Sequence, residues 1–305
     1  MNEKTMEQIA NLKNQTIGVE VEMNNITREK AAKLAADFFG TGRWENTATR
    51  NGYQTWSAWD GEGREWKFQK DVSIAGPDVQ KCEMVTPILH YSDIENLQEL
   101  IRKLRKAGAV SNAEQGCGVH IHIGANGHTP QTLRNLANIM ASHETLLADA
   151  LKLDRGRMNR YCRTVNPNFL TNLNKKKPET MAKLADLWYT TQGASYGRDA
   201  HYNDSRYHML NLHATFTKGT IEFRLFQFDN PTAERKSKVR DENMADEIRF
   251  YGRGICNSKR TSYKEPCWRL RLQIWQITGK PPASSNRGSH QGGNVNYTIN
   301  TAGIL

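Results

Sequence analysis

Alternation of apolar and polar side chains marks the most informative parts of this chain. In Gly116-Cys117-Gly118-Val119-His120-Ile121-His122-Ile123-Gly124, a glycine-bounded stretch, Val119, Ile121 and Ile123 fall on one face of an extended segment and His120 and His122 on the other. Gly18-Val19-Glu20-Val21-Glu22 repeats the design with two carboxylates opposite two valines. Thr220-Ile221-Glu222-Phe223-Arg224-Leu225-Phe226 repeats it with Glu222 and Arg224 opposite Ile221, Phe223 and Leu225. These patterns predict three strands of one sheet, with a charged concave face and an apolar face turned to the core.

Other elements follow in chain order. The first strand is predicted over about 16–24. Thr27 is a suitable N-cap, and Ala31, Ala32, Leu34, Ala35 and Phe38 make a helical face that ends at Gly40. Residues 41–52 read as a loop. The aromatic stretch Tyr53 to Val72 predicts two strands around Asp60-Gly61-Glu62-Gly63, and Lys81 to Val85 a further strand, stopped by Pro87. Ser92 and Glu95 form a capping box before a helix with Ile94, Leu97, Ile101 and Leu104 on one stripe.

Thr129-Pro130 opens a long helix whose predicted buried stripe is Leu133, Leu136, Met140, His143, Leu147 and Leu151. Residues 154–178 look basic and irregular, 179–189 helical, and 192–206 a loop that is a candidate lid. A β-hairpin is predicted for 207–216 and 219–228 around Lys218-Gly219. Helical patterns follow at about 232–256 and 266–277. Residues 280–305, rich in Pro, Ser, Gly and Asn, read as a low-complexity tail. Strands joined by hairpins and interleaved with helices give an α+β class, an antiparallel sheet backed by helices on one side.

Composition adds bounds. The chain has 305 residues, enough for a sizeable core, and 37% are hydrophobic. Net charge is +10, from 42 Lys+Arg against 32 Asp+Glu. That excess favours anionic partners such as nucleic acid or another polyanion, although much of it lies in scattered runs that read as solvated faces. Five cysteines, Cys82, Cys117, Cys162, Cys256 and Cys267, have no zinc-pair spacing and read as free thiols. Glu3, Lys4 and Glu7 near the N-terminus argue against a signal peptide, and no stretch is apolar enough to span a membrane. The expectation is a cytoplasmic protein with no membrane partner.

Carboxylates as close as Glu20 and Glu22 repel, and one would hold its proton strongly unless a cation lay between them. With Glu83, Glu222 and one histidine they would suit Mg²⁺ or Mn²⁺ holding a nucleoside triphosphate, because hard cations prefer oxygen ligands and phosphate. Arg224, beside Glu222, would neutralise charge on a transferring phosphoryl group.

At these residues the chain resembles the amidoligases, carboxylate–amine ligases of the glutamine synthetase-like superfamily. The likeness is carried by an ordered set of patches. They are Gly18 to Glu22, Asp71-Val72-Ser73-Ile74 preceded by Trp66, Glu83-Met84-Val85-Thr86-Pro87-Ile88-Leu89, Cys117 to Gly124, Arg206-Tyr207-His208-Met209-Leu210-Asn211-Leu212, and Thr220 to Phe226. All lie within 18–226. The resemblance implies a glutamine synthetase-like fold, a curved antiparallel sheet forming a partial barrel with ATP and metal in its open mouth. The expected division is a single amidoligase-like catalytic domain over 1–279, with the motifs within 18–226 and, from the residue pattern, a helical extension at 230–279, followed by the low-complexity tail at 280–305.

The implied reaction is ATP-dependent formation of an amide or isopeptide bond through an acyl phosphate. In that light Glu20, Glu22, Glu83, His120 and Glu222 resemble the metal ligands, and His122 the histidine near the ATP phosphates. Arg206 and Arg224 resemble arginines that grip phosphate and developing charge. Asn211 and Asp71 match family positions; Asp71 would either hold the incoming amine or fix a turn. Substrates bearing a carboxylate and an amine are implied, and a glutamine amidotransferase-like partner is a further expectation.

Two other classes compete. His-x-His on a strand also serves cupin-like metal hydrolases, which bind Zn²⁺ or Fe²⁺ and call for a third histidine. A basic, non-catalytic nucleic-acid-binding protein would use runs such as Arg155, Arg157, Arg160 and Arg163, or Lys175 to Lys177.

Overall fold

Strand β1 (Ile17–Met23) is the axis of the fold. In the computed structural model, which describes residues 6–7, 10–11, 13–48, 52–192 and 197–228, β1 pairs antiparallel with two strands. One is β5 (Cys82–Val85) and the other β6 (Val119–Gly124). Beyond β5 lie β4 (Glu65–Gln69), β3 (Trp56–Trp59) and β2 (Trp44–Asn46); beyond β6 lie β8 (Thr220–Phe226) and β7 (Leu210–Asn211). Every pairing is antiparallel, and the eight-stranded sheet, in the order β2-β3-β4-β5-β1-β6-β8-β7, is curved and unclosed. The α+β class and the antiparallel sheet are as the sequence predicts.

The apolar face follows the alternation. Val19, Val21 and Met23 of β1 are buried with Met84 of β5, Trp66 and Phe68 of β4, and Ile221 and Leu225 of β8. Helix α1 (Arg28–Phe39) buries Ala31, Ala32, Ala35 and Ala36, small side chains that let it lie close on the sheet. Thr27 caps it by accepting from the Lys30 amide, and Gly40 ends it at φ 71°, a conformation that suits glycine. Phe39 then packs against Trp66, ring centroids 4.9 Å apart. Helix α2 (Ile94–Lys106) buries Leu97, Leu100, Ile101 and Leu104. Helix α3 (Pro130–Ala150) starts at Thr129 with Pro130 in its first turn, as predicted.

Several expectations are corrected. The 41–52 loop contains β2, whose Trp44 lies against Trp56 of β3 with centroids 5.4 Å apart. Ser92 and Glu95 form no capping box. Asp93 is held by the bidentate guanidinium of Arg64 and accepts from the His90 amide, so a tight 3-10 turn, Tyr91–Asp93, precedes α2. On α3 the buried position is Glu144 rather than the exposed His143, because the helical period from Met140 lands on the fourth residue.

The irregular 154–178 stretch holds two helices, α4 (Arg155–Arg160) and α5 (Pro167–Lys176). Asp154 and Asn166 cap them through side-chain oxygens. Helix α6 (Met181–Gln192) follows. The first strand of the 207–216 hairpin shrinks to β7. Asn211 Oδ1 accepts from the His213 amide at 2.9 Å and turns the chain into the short helix α7 (His213–Thr217).

Cys82, Cys117 and Cys162 are buried free thiols. Among the described residues no helix is long and apolar enough to cross a membrane. The predicted helices at 232–256 and 266–277, the domain limit at 279, the tail at 280–305, and Cys256 and Cys267 lie outside the described residues.

Glu144 accepts from the Val165 amide at 2.8 Å, and burial pushes its carboxyl up to about 7 against that bond. An unfolded glutamate titrates near ~4.3. Between those values the folded chain binds more protons than the unfolded one, so this residue makes stability fall as pH rises through the interval. Glu144→Gln keeps an acceptor and removes the charge. Urea denaturation should find the variant about equal to the parent at pH 4, and more stable by about 3 kcal/mol at pH 8.

Candidate functional site

Register places the residues of the polar face, opposite the apolar core, in rows. Gly18 of β1 lies opposite His122 of β6, which lies opposite Glu222 of β8, which lies opposite Asn211 of β7. One row along, Glu20 lies opposite His120 on one side and Val85 on the other. In the third row Glu22 lies opposite Glu83, and Glu83 opposite Gln69 of β4. A register shift in β6–β8 between Val119 and Ile121 brings Arg224 against this group.

The side chains converge. His120 Nδ1 lies 3.0 Å from Glu20 Oε2, and His122 Nε2 lies 3.3 Å from Glu20 Oε1. Arg224 Nη1 donates to Glu222 Oε1 at 2.6 Å, and Asn211 Nδ2 to Glu222 Oε2 at 2.6 Å. His122 Nδ1 is 2.9 Å from Thr220 Oγ1. Three sets of donor atoms lie within 4.8 Å of one another: Glu20, Glu83 and His120; Glu20, His122 and Glu222; and Glu22, Asp71 and Glu83. His120 Nε2 and Glu22 Oε2 are buried without a hydrogen-bond partner, while His122 Nε2 faces Glu20 Oε1.

The electrostatics reflect crowding. Burial pushes Glu22 up to about 7; Arg157 opposes this and Asp71 adds to it. Glu83 is raised well above the carboxylate range by burial and by Glu20, Asp71 and Glu22. Burial acts on Glu20 in the same sense, but hydrogen bonds from His120 and His122 outweigh it and hold Glu20 well below that range. Burial likewise raises Glu222, but Arg224 leads the charges that bring it down to about 2. Burial and the Arg224 charge lower His120 to about 4, so at neutral pH the ring is uncharged. With the proton on Nδ1, directed at Glu20, the buried Nε2 keeps a lone pair.

Of the residues singled out in the sequence, Glu20, Glu22, Glu83, His120, His122, Glu222, Arg224 and Asn211 meet in this cluster. Asp71 joins its edge, and its Oδ1 also accepts from the Ser73 amide at 2.6 Å, fixing a turn. Arg206 stands apart from the carboxylates. Its guanidinium lies 5.6 Å from the centre of the Tyr207 ring and donates to the His201 carbonyl, while Arg224 lies 5.8 Å from the same ring. Both arginines thus lie near one aromatic ring. In the 192–206 loop, where residues 197–206 are described, Tyr202 hydrogen-bonds Tyr53.

Two participants escaped the sequence reading. Gln69 Nε2 donates to Glu83 Oε2 at 2.7 Å; its phase in β4 carried the signal once β4 was aligned with β5. Arg157, read as part of a solvated basic run, is buried with Nη1 4.0 Å from Glu22 Oε2. The run itself hides it, because Arg155 and Arg160 on either side are exposed.

The sequence model of a family described as "Putative amidoligase enzyme" matches residues 13–238. A search of curated proteins finds no match.

Removing one partner of a buried ion pair leaves an uncompensated charge, whereas removing both relieves it. Arg224→Met should therefore cost about 3–5 kcal/mol in guanidinium denaturation at pH 7. The double variant Glu222→Gln/Arg224→Met should be more stable than Arg224→Met alone.

Proposed function

The chain belongs to the amidoligase family, and on that premise we propose that it is an ATP- and Mg²⁺-dependent carboxylate–amine ligase with a glutamine synthetase-like architecture. Mn²⁺ is the alternative cation. The observation that carries the reading is the convergence of three overlapping, oxygen-rich donor sets around buried atoms that lack partners. Such sets fit hard divalent cations, which take carboxylate oxygens and share phosphate oxygens. Bound Mg²⁺–ATP would supply an electrophilic phosphoryl group, with the metal sharing its negative charge.

In this reading Glu20, Glu22, Glu83, Glu222 and His120 are the metal-holding residues. Glu20 and Glu222 are ready for that role as carboxylates, since both are held ionised at neutral pH. His122, kept in place by Thr220, borders the phosphates. Arg224 is fixed by Glu222 and stays charged, so it faces the transferring group without reorganising. Arg206, beside the Tyr207 ring, extends positive potential toward the mouth. Asn211 orients Glu222.

The substrate carboxylate oxygen takes the γ-phosphoryl group and ADP leaves. The amine nitrogen then attacks the acyl carbon and loses a proton, and phosphate departs with the C–O bonding electrons. Asp71, at the acidic edge, suits the incoming amine. Water must be kept from the acyl phosphate, and the 192–206 loop, whose Tyr202 is bonded to Tyr53, is the candidate lid.

Carboxylate and amine substrates are the partners this chemistry requires; a glutamine amidotransferase-like protein would supply ammonia. The positive charge leaves room for a polyanionic substrate, and Lys30, Lys33, Lys103 and Lys106 line a groove of about 570 Å³ between α1 and α2. The cupin-like alternative finds less support, because among the described residues each donor set holds at most one histidine.

Incubation with ATP, Mg²⁺ and a pool of carboxylates and amines should release phosphate and yield new amide masses. Glu20→Gln or Glu222→Gln should lower both by about 100-fold or more. Product formation without ATP, or with zinc in place of magnesium as the required ion, would overturn the reading.

A further inference from the structure

Arg157 belongs to a short helix that faces solvent on most sides, yet its own side chain is only 2% exposed. Asp154 Oδ1 accepts from the Arg157 amide at 2.7 Å and fixes where α4 begins. The guanidinium then reaches the segment leading into β6. A Cβ atom at position 118 would meet Arg157 Nη2 at 1.9 Å, so the group occupies space that only glycine leaves free. Nη2 donates to the Arg224 carbonyl at 2.9 Å, and Nη1 lies 4.0 Å from Glu22 Oε2. The Gly118 carbonyl accepts from the Glu22 amide at 3.0 Å. One guanidinium therefore touches β1, the approach to β6, and β8.

Glu22 is divided between two neighbours. Its Oε1 lies 3.7 Å from His120 Nε2, and its Oε2 faces Arg157. Glu22 Oε2 and Arg157 Nε are both buried without a hydrogen-bond partner. The pair is thus held by charge and packing, with capacity left over for a further group. We propose that Arg157 is a positioning residue for the cation site. It fixes the Glu22 carboxylate and the Arg224 backbone in the arrangement a divalent cation requires, and Gly118 is the opening through which it does so. This rests on the cation-binding reading of the cluster given above.

The sign of one measurement separates positioning from simple charge balance. At a pH high enough to keep Glu22 ionised in parent and variant alike, removal of an Arg157 that only neutralised carboxylates would leave the site more negative and tighten divalent binding. If it positions Glu22, removal weakens binding, as loss of groups that orient metal ligands does.

Mn²⁺ titration followed by electron paramagnetic resonance, with thermal melting alongside, tests this. Arg157→Met should bind Mn²⁺ about 10–100-fold more weakly than the parent, and Arg157→Lys should fall between. Gly118→Ala, which keeps Arg157 but displaces its guanidinium, should also weaken binding, and should add nothing in the Arg157→Met background. Equal or tighter Mn²⁺ binding by Arg157→Met, or effects of the two substitutions that add, would overturn the proposal. A role in stability alone would lower the melting temperature and leave the Mn²⁺ constant unchanged. If Arg157→Met does not fold, Arg157→Lys and Gly118→Ala decide by the same criterion. A parent protein that binds no Mn²⁺ would overturn the cation reading and this role together; normal parent binding with unaltered variants would overturn this role alone.

Discussion

Glu22 and Glu83 sit directly opposite one another on adjacent antiparallel strands. Like charges so placed destabilise a sheet, and burial multiplies the penalty. The polar face collects five carboxylates, Glu20, Glu22, Asp71, Glu83 and Glu222, against two buried guanidinium groups, Arg157 and Arg224. The opposite face tolerates this because it is almost entirely apolar, from Val19, Val21 and Met23 to Trp66, Phe68 and Met84. One side of β1 supplies folding free energy and the other side spends part of it on charge. That division fits the role proposed above, since a divalent cation among these carboxylates would relieve their repulsion.

That same division explains which parts of the molecule could be read from the chain. Strand alternation is local, and β1, β6 and β8 emerge from it with their faces correctly assigned. Helix caps are local too, so Thr27, Gly40 and Thr129 mark real ends. Failures arise where a side chain answers to a distant partner. Asp93 serves Arg64 across the fold, and the local Ser92–Glu95 signal loses to that bidentate contact. Asn211 is recruited by Glu222 and by the His213 amide, so a strand becomes a turn and a short helix. Arg157 is the sharpest case. Within Arg155-Gly156-Arg157 nothing local tells which arginine is buried, and only the empty space at Gly118 makes the difference.

The arginines also show why family-like positions do not act alike. Arg224 is pinned within the sheet by Glu222 and by the Tyr161 carbonyl. Its orientation is settled before any ligand binds, so its stabilisation of developing charge would require little reorganisation. Arg206 is held by the His201 carbonyl and by the faces of Tyr202 and Tyr207. A cation held against aromatic faces is confined less tightly than one in a buried, hydrogen-bonded carboxylate pair. The Tyr207 ring is a shared neighbour of the two cations.

Charge is distributed unevenly across the sheet. Toward β5 and β4 the polar face carries Glu22, Glu83, Asp71 and Gln69, with Arg157 against Glu22; toward β8 Arg224 balances Glu222, and Arg206 adds a further positive charge near the Tyr207 ring. A group that is positive, or becomes so, is stabilised on the first side, and a phosphate on the second. On the ligase reading proposed above, a phosphoryl donor and an amine entering one cleft would be drawn to opposite ends, with the carboxylate between them. No conformational change is needed to establish that order, because it is built into strand sequence: acidic positions two residues apart on β1, an acidic residue facing them from β5, and an acid–guanidinium pair two residues apart on β8. Rotating any one of these strands by a single residue would turn its charges into the core and its valines or leucines into the cleft. The register of the sheet and the polarity of the site are therefore one constraint, enforced by the same apolar face that holds the fold together.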